Sequence, residues 1–290
     1  MLFELTKQLE RGTPDPIVAR LTVQPIEILN HTNLSAAVQA KFVQLSVSEL
    51  CPRLLRCSEI EQRLRKEADE RRSQFKPPRR GDVSVEIPQI PNLKAECENF
   101  LYEAKNYLRD LLKLVNLLWG TQYEDASEWV QGKKSRPSVQ EFIVGRFGES
   151  HLNARFIRQY KACVEPFVLM RNAVEHPKPT ELVIKNFSRE GAELREATWA
   201  LERNGTPEYG PLSIVEDMAC GVRNLLILAE DMLVMAAQAN LAAPGLVAVE
   251  AIPEQERKSE CPVKYRIRPT AAVLQDIARQ EGRRDASPAR

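Results

Sequence analysis

The sequence predicts a mainly α-helical protein: a helical bundle with a β-hairpin insertion and small α/β extensions at its two ends. Three observations predict it. Apolar residues recur at spacings of 3, 4 and 1 through "NLKAECENFLYEAKNYLRDLLKLVNLLWG", the stripe of one long amphipathic helix. Two further long stretches, Leu152 to about Glu175 and "PLSIVEDMACGVRNLLILAEDMLVMAAQANL", carry the same periodicity. Between them, "ELVIKNFS", "REG" and "AELREATWALE" combine β-forming residues with turn signals, as a hairpin does. The expected organisation is an N-terminal extension over 1–90, a bundle over 91–242 with the hairpin inserted at about 181–203, and a C-terminal extension over 243–290.

Taken in order, residues 1–32 look mixed. Ile17, Ala19, Leu21 and Val23 alternate as in a strand, and Pro25 would confine that strand to a sheet edge. Asn33 to about Arg72 reads as helix, broken near Pro52, and "FKPPRRG" at 75–81 reads as a linker. In the central helix Leu93, Cys97, Phe100, Leu101, Ala104, Leu108, Leu111, Leu112, Val115, Leu118 and Trp119 form the stripe, with Asn92 as N-cap and Gly120 as the closing residue. Ser138 to Phe147 predicts a short helix. The next long helix places Phe156, Ile157, Tyr160, Val164, Phe167 and Val174 largely on one face, and Pro166 should bend it. The last carries Ile214, Met218, Val222, Leu225, Leu226, Met232 and Val234, with the methionines as core filling. In "PVKYRIRP", Val263, Tyr265 and Ile267 alternate with basic residues, predicting a strand that pairs with the N-terminal one. The polar end "EGRRDASPAR" reads as disordered.

Composition narrows the function classes. With 43% apolar and 28% charged residues the chain is ordinary globular material. A net charge of +1 gives no strong overall field, which argues against a dedicated duplex-DNA binder. Any anionic partner must meet a local patch, and one exists: ten Lys/Arg stand against five Asp/Glu from Arg53 to Arg80. Either this is a solvated helix face, or Arg71, Arg72, Arg79 and Arg80 contact RNA. The first residues lack the basic lead and apolar core of a signal peptide, and "LLKLVNLLW" is interrupted by Lys113 and Asn116, so no membrane span is expected. Six scattered cysteines without a CxxC pair read as reduced core thiols, and a cytoplasmic protein is expected. Phosphate-binding glycine loops, HExxH and GxSxG are absent, so neither a cofactor nor a metal is called for.

What remains is "MRNAVEHPKP". It holds one of only three histidines, His176, against a proline that should end the helix there. His31 and His151 read as surface or cap residues. Asn172 lies four residues before His176, about 40° away around a helix, and is placed to orient it. Arg171 is about 140° away, so one regular helix does not aim both groups at one atom. Either the helix end unwinds, or a second copy supplies the missing group. Glu175 is placed to pair with Arg171. Arginine with histidine suits phosphodiester cleavage without a metal: the guanidinium stabilises the phosphate charge and the imidazole moves a proton.

At these residues the sequence resembles the HEPN superfamily (higher eukaryotes and prokaryotes nucleotide-binding domains). The family mark is Arg, a polar residue, three to five more, then His, near the end of a long helix in an all-α bundle. Arg171, Asn172 and His176 match it, and the helices at 92–119, 150–176 and 212–240 match the architecture, over roughly 91–242 of the chain. The resemblance implies a homodimer whose two motifs face each other. It further implies, for active members, a metal-independent endoribonuclease acting as a toxin or phage-defence effector beside an antitoxin or defence partner. The alternative is a non-catalytic dimeric scaffold or RNA-binding subunit. Members paired with nucleotidyltransferases carry tyrosine two residues after the histidine; Lys178 stands there, and Pro177 is more like the stand-alone bacterial type.

Overall fold

The computed structural model describes residues 11–78 and 85–275. It is mainly helical, 58% helix against 17% strand, with three small antiparallel sheets among the described residues. The expected linker is irregular over 75–78; its remainder and the polar tail lie outside the described residues. The chain forms two compact units, one of residues 1–51, 114–121 and 229–290, the other of 52–113 and 122–228.

The first unit begins with a correction. The segment read as an edge strand is helical: α1 (Pro16–Val18), a π-turn Ala19–Val23 and α2 (Gln24–Leu29) run on without a break. Asp15 caps the start, its side chain accepting from the Ile17 amide at 2.8 Å, and Pro16 follows with φ already helical. Ile17, Leu21, Ile28 and Leu29 are buried at helical spacing, a period that the 17/19/21/23 alternation obscured. Pro25 stays inside because the turn before it widens. Gln24 N–H bonds Ala19 O, five residues back, which opens the ladder ahead of the ring. The same device recurs at the expected break. α3 (Ala36–Leu45) passes through a π-turn at Ser46–Leu50 into α4 (Cys51–Gln74), and Pro52 does not interrupt the helix.

β6 (Val247–Ala251) and β7 (Tyr265–Pro269) pair antiparallel, with Val249 opposite Ile267. So "YRIRP" is a strand as expected, but its partner is its own neighbour and not an N-terminal strand. The link to the N-terminus is a side chain: Gln24 Oε1 accepts from the Lys264 and Tyr265 amides at 2.7 and 2.8 Å. Gln24 Nε2 in turn donates to Glu230, a carboxylate with no exposed side-chain surface, 3.5 Å from Arg20 and 3.8 Å from Lys264. Burial pushes the Glu230 carboxyl above the usual carboxylate range despite those cations.

The second unit contains most of α4, α5 (Leu93–Trp119) to Lys113, α6 (Val139–Phe147), α7 (Leu152–Glu175), five strands, and α8 (Ile214–Ala239) to Leu228. The end of α5 belongs to the first unit, where Gly120 closes the helix with φ +68, donating to Asn116 O at 2.9 Å. Ser138 and Glu141 form a capping box at the start of α6, and His151 caps α7 through its ring nitrogen, as a cap residue should. Phe100, Phe167 and Trp199 meet in the core with ring centroids 5.8 and 6.2 Å apart. Gly221 on α8 lies so close to this cluster that an added Cβ would stand 2.4 Å from Phe167 Cζ.

The expected hairpin is there and is larger than read. β1 (Thr180–Lys185) pairs with β4 (Thr198–Arg203), with β2 (Ser188–Glu190) and β3 (Glu193–Arg195) as a small hairpin between them. β5 (Thr206–Ser213) adds a third strand beside β4 through the turn Asn204-Gly205, both at positive φ. "RNGT" was the unused signal for it. Pro207 and Pro211 disguised β5, yet an edge strand tolerates them. Among the described residues no helix is long and apolar enough to cross a membrane.

Candidate functional site

The three motif residues sit on the last turn of α7 and just beyond it. Met170 and Ala173 face the core, 0% and 4% exposed, which turns Arg171 and Asn172 outward. The chain leaves the helix at His176, with φ −135° and ψ 76°, as expected before Pro177. Its amide donates to Asn172 O at 2.7 Å, and the imidazole is exposed.

α5 brings a residue that the sequence reading missed. Lys105 Nζ donates to Asn172 Oδ1 at 2.9 Å and to Glu175 Oε2 at 2.9 Å. The amide of Asn172 is therefore oriented by Lys105, where the expectation was a link to His176. Arg171 pairs with Glu175 at 3.2 Å, as its i,i+4 position predicted, and lays its guanidinium over the Tyr102 ring, 5.5 Å from the centroid. The hydrogen bond from Lys105 lowers the Glu175 pKa, and the charges of Lys105, Arg171 and His176 lower it further.

A third segment completes the surroundings. The 3₁₀ turn Ala126–Trp129 is held by an Asp125/Glu128 capping box and anchored by Trp129 Nε1, which donates to Leu108 O at 2.9 Å. That anchoring places Asp125 and Ser127 beside Lys105. Burial raises the Asp125 pKa, but the bonds from Ser127 and the charges of Lys105 and Lys133 outweigh it and the net shift is downward.

Two concavities result, sharing Lys105, Asp125 and Glu175. An open depression is lined by Lys105, Asp125, Ser127, Asn172, Glu175 and His176. A narrower one, of about 210 Å³, is lined by Tyr102, Lys105, Asn106, Arg109, Asp125, Ala126, Arg171 and Glu175. The structure thus lines one concavity with Asn172 and His176 and the other with Arg171, with Glu175 common to both. This is the divergence that helical geometry dictates. The signal for the missed residues was faint: Tyr102, Lys105 and Arg109 recur at 3 and 4 spacings on the polar side of α5, and Asp125-x-x-Glu128 is a cap pattern.

Of the four arginines expected to contact RNA, the two among the described residues lie apart from these concavities. Arg71 pairs with Glu67 at 2.7 Å, and Arg72 with Asp69 at 3.1 Å and Glu196 at 2.8 Å; neither lines the two concavities. Arg79 and Arg80 lie outside the described residues. Earlier basic residues of α4 are also engaged, Arg53 and Arg56 with Glu103 and Arg63 with Glu96. Of the cysteines expected as reduced core thiols, Cys51, Cys57 and Cys97 are buried, and burial pushes the Cys97 thiol up to about 12, whereas Cys220 is exposed.

Fold and site together define an α-rich protein with a polar, ion-paired helix end. No family model, curated protein or solved structure matches the chain.

Proposed function

We propose that this chain is a HEPN-like, metal-independent endoribonuclease that works as a homodimer in the cytoplasm, as a toxin or defence effector with a restraining partner. The observation that carries the reading is the grouping of an exposed imidazole, His176, with Asn172 and the Lys105 ammonium around one open depression at the end of α7. Attack by a ribose 2′-hydroxyl on the adjacent phosphorus forms the 2′,3′-cyclic phosphate and breaks the bond to the 5′-oxygen. One group must take the 2′-hydroxyl proton and another must give a proton to the departing oxygen. One chain offers a single histidine there, so two copies supply both imidazoles. Arg171 lies outside the depression that its own His176 lines, and the same pairing lets it serve the other copy's histidine by stabilising charge on the phosphate.

The test is cleavage of RNA in EDTA by purified protein, with product ends identified. Wild type should yield 2′,3′-cyclic phosphate. His176→Ala should lose a factor of roughly 10²–10⁴ in rate, and Arg171→Ala roughly 10²–10³, with binding reduced less. Folded wild type inactive on every RNA, or variants as active as wild type, would overturn the reading.

One observation favours a second reading. Arg171 is already engaged by Glu175 and Tyr102, as a scaffold residue would be. A dimer that binds RNA without cutting it would establish that role.

A further inference from the structure

The narrower concavity holds more unanswered donors than its own acceptors satisfy. Asn106 is only 8% exposed, lines this concavity, and its Nδ2 has no hydrogen-bond acceptor. Arg171 Nε, on the facing helix α7, is likewise buried without an acceptor. A buried donor left unpaired costs about 1–3 kcal/mol, and both belong to residues that line this one cavity, so a side-chain rotation that turns them into it would let an arriving acceptor satisfy them. The charge balance says what sign it has. Lys105, Arg109 and Arg171 stand against Asp125 and Glu175, an excess of one positive charge. Both carboxylates are committed, Asp125 to the Ser127 amide and Glu175 to Lys105 and Arg171. Arg109, 47% exposed, stands 3.9 Å from Asp110 Oδ1, beyond hydrogen-bond range. At about 210 Å³ the cavity has room for several waters at about 30 Å³ each, and so for one tetrahedral oxyanion.

We infer that the cavity beneath Tyr102 is a phosphate subsite, in which Asn106 Nδ2, Arg171 Nε and the Lys105 and Arg109 cations receive the oxygens of one phosphate group. The subsite stands on these donors alone; only the assignment of its phosphate to an RNA strand rests on the ribonuclease reading. It gives a role to a buried asparagine that shares its face of α5 with Tyr102 and Arg109, at i−4 and i+3. The Tyr102 ring, 51% exposed and covered on one side by Arg171, leaves its outer side for whatever the phosphate is attached to.

The experiment is calorimetric titration of the full-length protein with inorganic phosphate, against chloride at matched ionic strength. Wild type should bind phosphate, and Arg109→Ala and Asn106→Leu should each weaken binding roughly tenfold or more, the worth of a charged hydrogen bond. Asn106→Leu should also melt at the same or a higher temperature, because it removes an unsatisfied amide of similar volume. If that variant misfolds, Arg109→Ala, at an exposed position, decides alone. Absence of phosphate binding by folded wild type, or binding unchanged in Arg109→Ala, overturns the inference. Two further arms identify the source: a 5′-mononucleotide, and an uncleavable 2′-O-methyl RNA. Tighter, salt-sensitive binding of the RNA assigns a strand, and equal binding assigns a small phosphate ester. Phosphate binding that persists in a protein without RNA-cleaving activity upholds the subsite while the ribonuclease reading falls.

Discussion

Lys105 Nζ stands 2.9 Å from Asn172 Oδ1, tying the middle of α5 to the motif turn of α7. The same ammonium holds Glu175, so one lysine sets the geometry of two of the residues around His176.

Replacing it tests both organisation and stability. Lys105→Met should cost about 1–3 kcal/mol in unfolding free energy, since Lys105 is 18% exposed and Asn172 Oδ1 and Glu175 each lose a charged donor. It should also raise the Glu175 pKa back toward the ordinary glutamate value, because the Lys105 hydrogen bond is the main cause of its depression. A carboxyl NMR titration reads this directly. A Glu175 pKa that stays depressed would deny Lys105 its organising role.

Asp217 is the acceptor for two donors that the core holds in place, Trp199 Nε1 at 2.8 Å and Tyr209 OH at 2.9 Å. Burial raises its pKa, while those bonds oppose the shift. Asp217→Ala should cost about 1–3 kcal/mol in urea unfolding, as the Trp199 and Tyr209 donors lose their acceptor. Asp217→Asn keeps one acceptor oxygen and should cost less. Equal stabilities for all three proteins would show that the two donors find other partners.

Glu230 governs a pH dependence in the first unit. Its folded pKa is raised above the unfolded value of about 4.3. The folded state then binds more protons than the unfolded state between the two pKa values. Stability from this group is fully present below the unfolded pKa and is lost as pH rises through the folded pKa. Glu230→Gln, which keeps an acceptor for Gln24, should remove that decline. Melting curves of both proteins from pH 4 to pH 8 measure it, and parallel pH profiles would refute it.

Gly221 tests the packing of α8 on α7. Gly221→Val should destabilise by about 1–3 kcal/mol, because the new side chain overlaps the buried Phe167 ring. The paired variant Gly221→Val/Phe167→Leu should recover part of the loss. A double-mutant cycle with no coupling would mean that the ring moves aside freely.

Periodicity alone determined the three long helices α5, α7 and α8. The stripes of α5, α7 and α8 are long enough that no other structure hides their apolar faces, and the motif at the end of α7 was legible with them. Where sequence reading failed, a local pattern had two meanings. Ile17, Ala19, Leu21 and Val23 alternate, yet Asp15 and Pro16 start a helix there, and a π-turn carries it past Pro25. β5 escaped notice because its prolines matter only in a central strand, and edge position is settled by which strands pair. The surroundings of His176 belong to the same class. Lys105 lies 67 and 70 positions before Asn172 and Glu175, Tyr102 lies 69 before Arg171, and Asp125 lies 47 before Asn172 across the open depression, and nothing in their local spacing marks them. Only the packing of α5 against α7, and of the Trp129 anchor against α5, brings them together, because side-chain hydrogen bonds act through space while sequence patterns record neighbours along the chain.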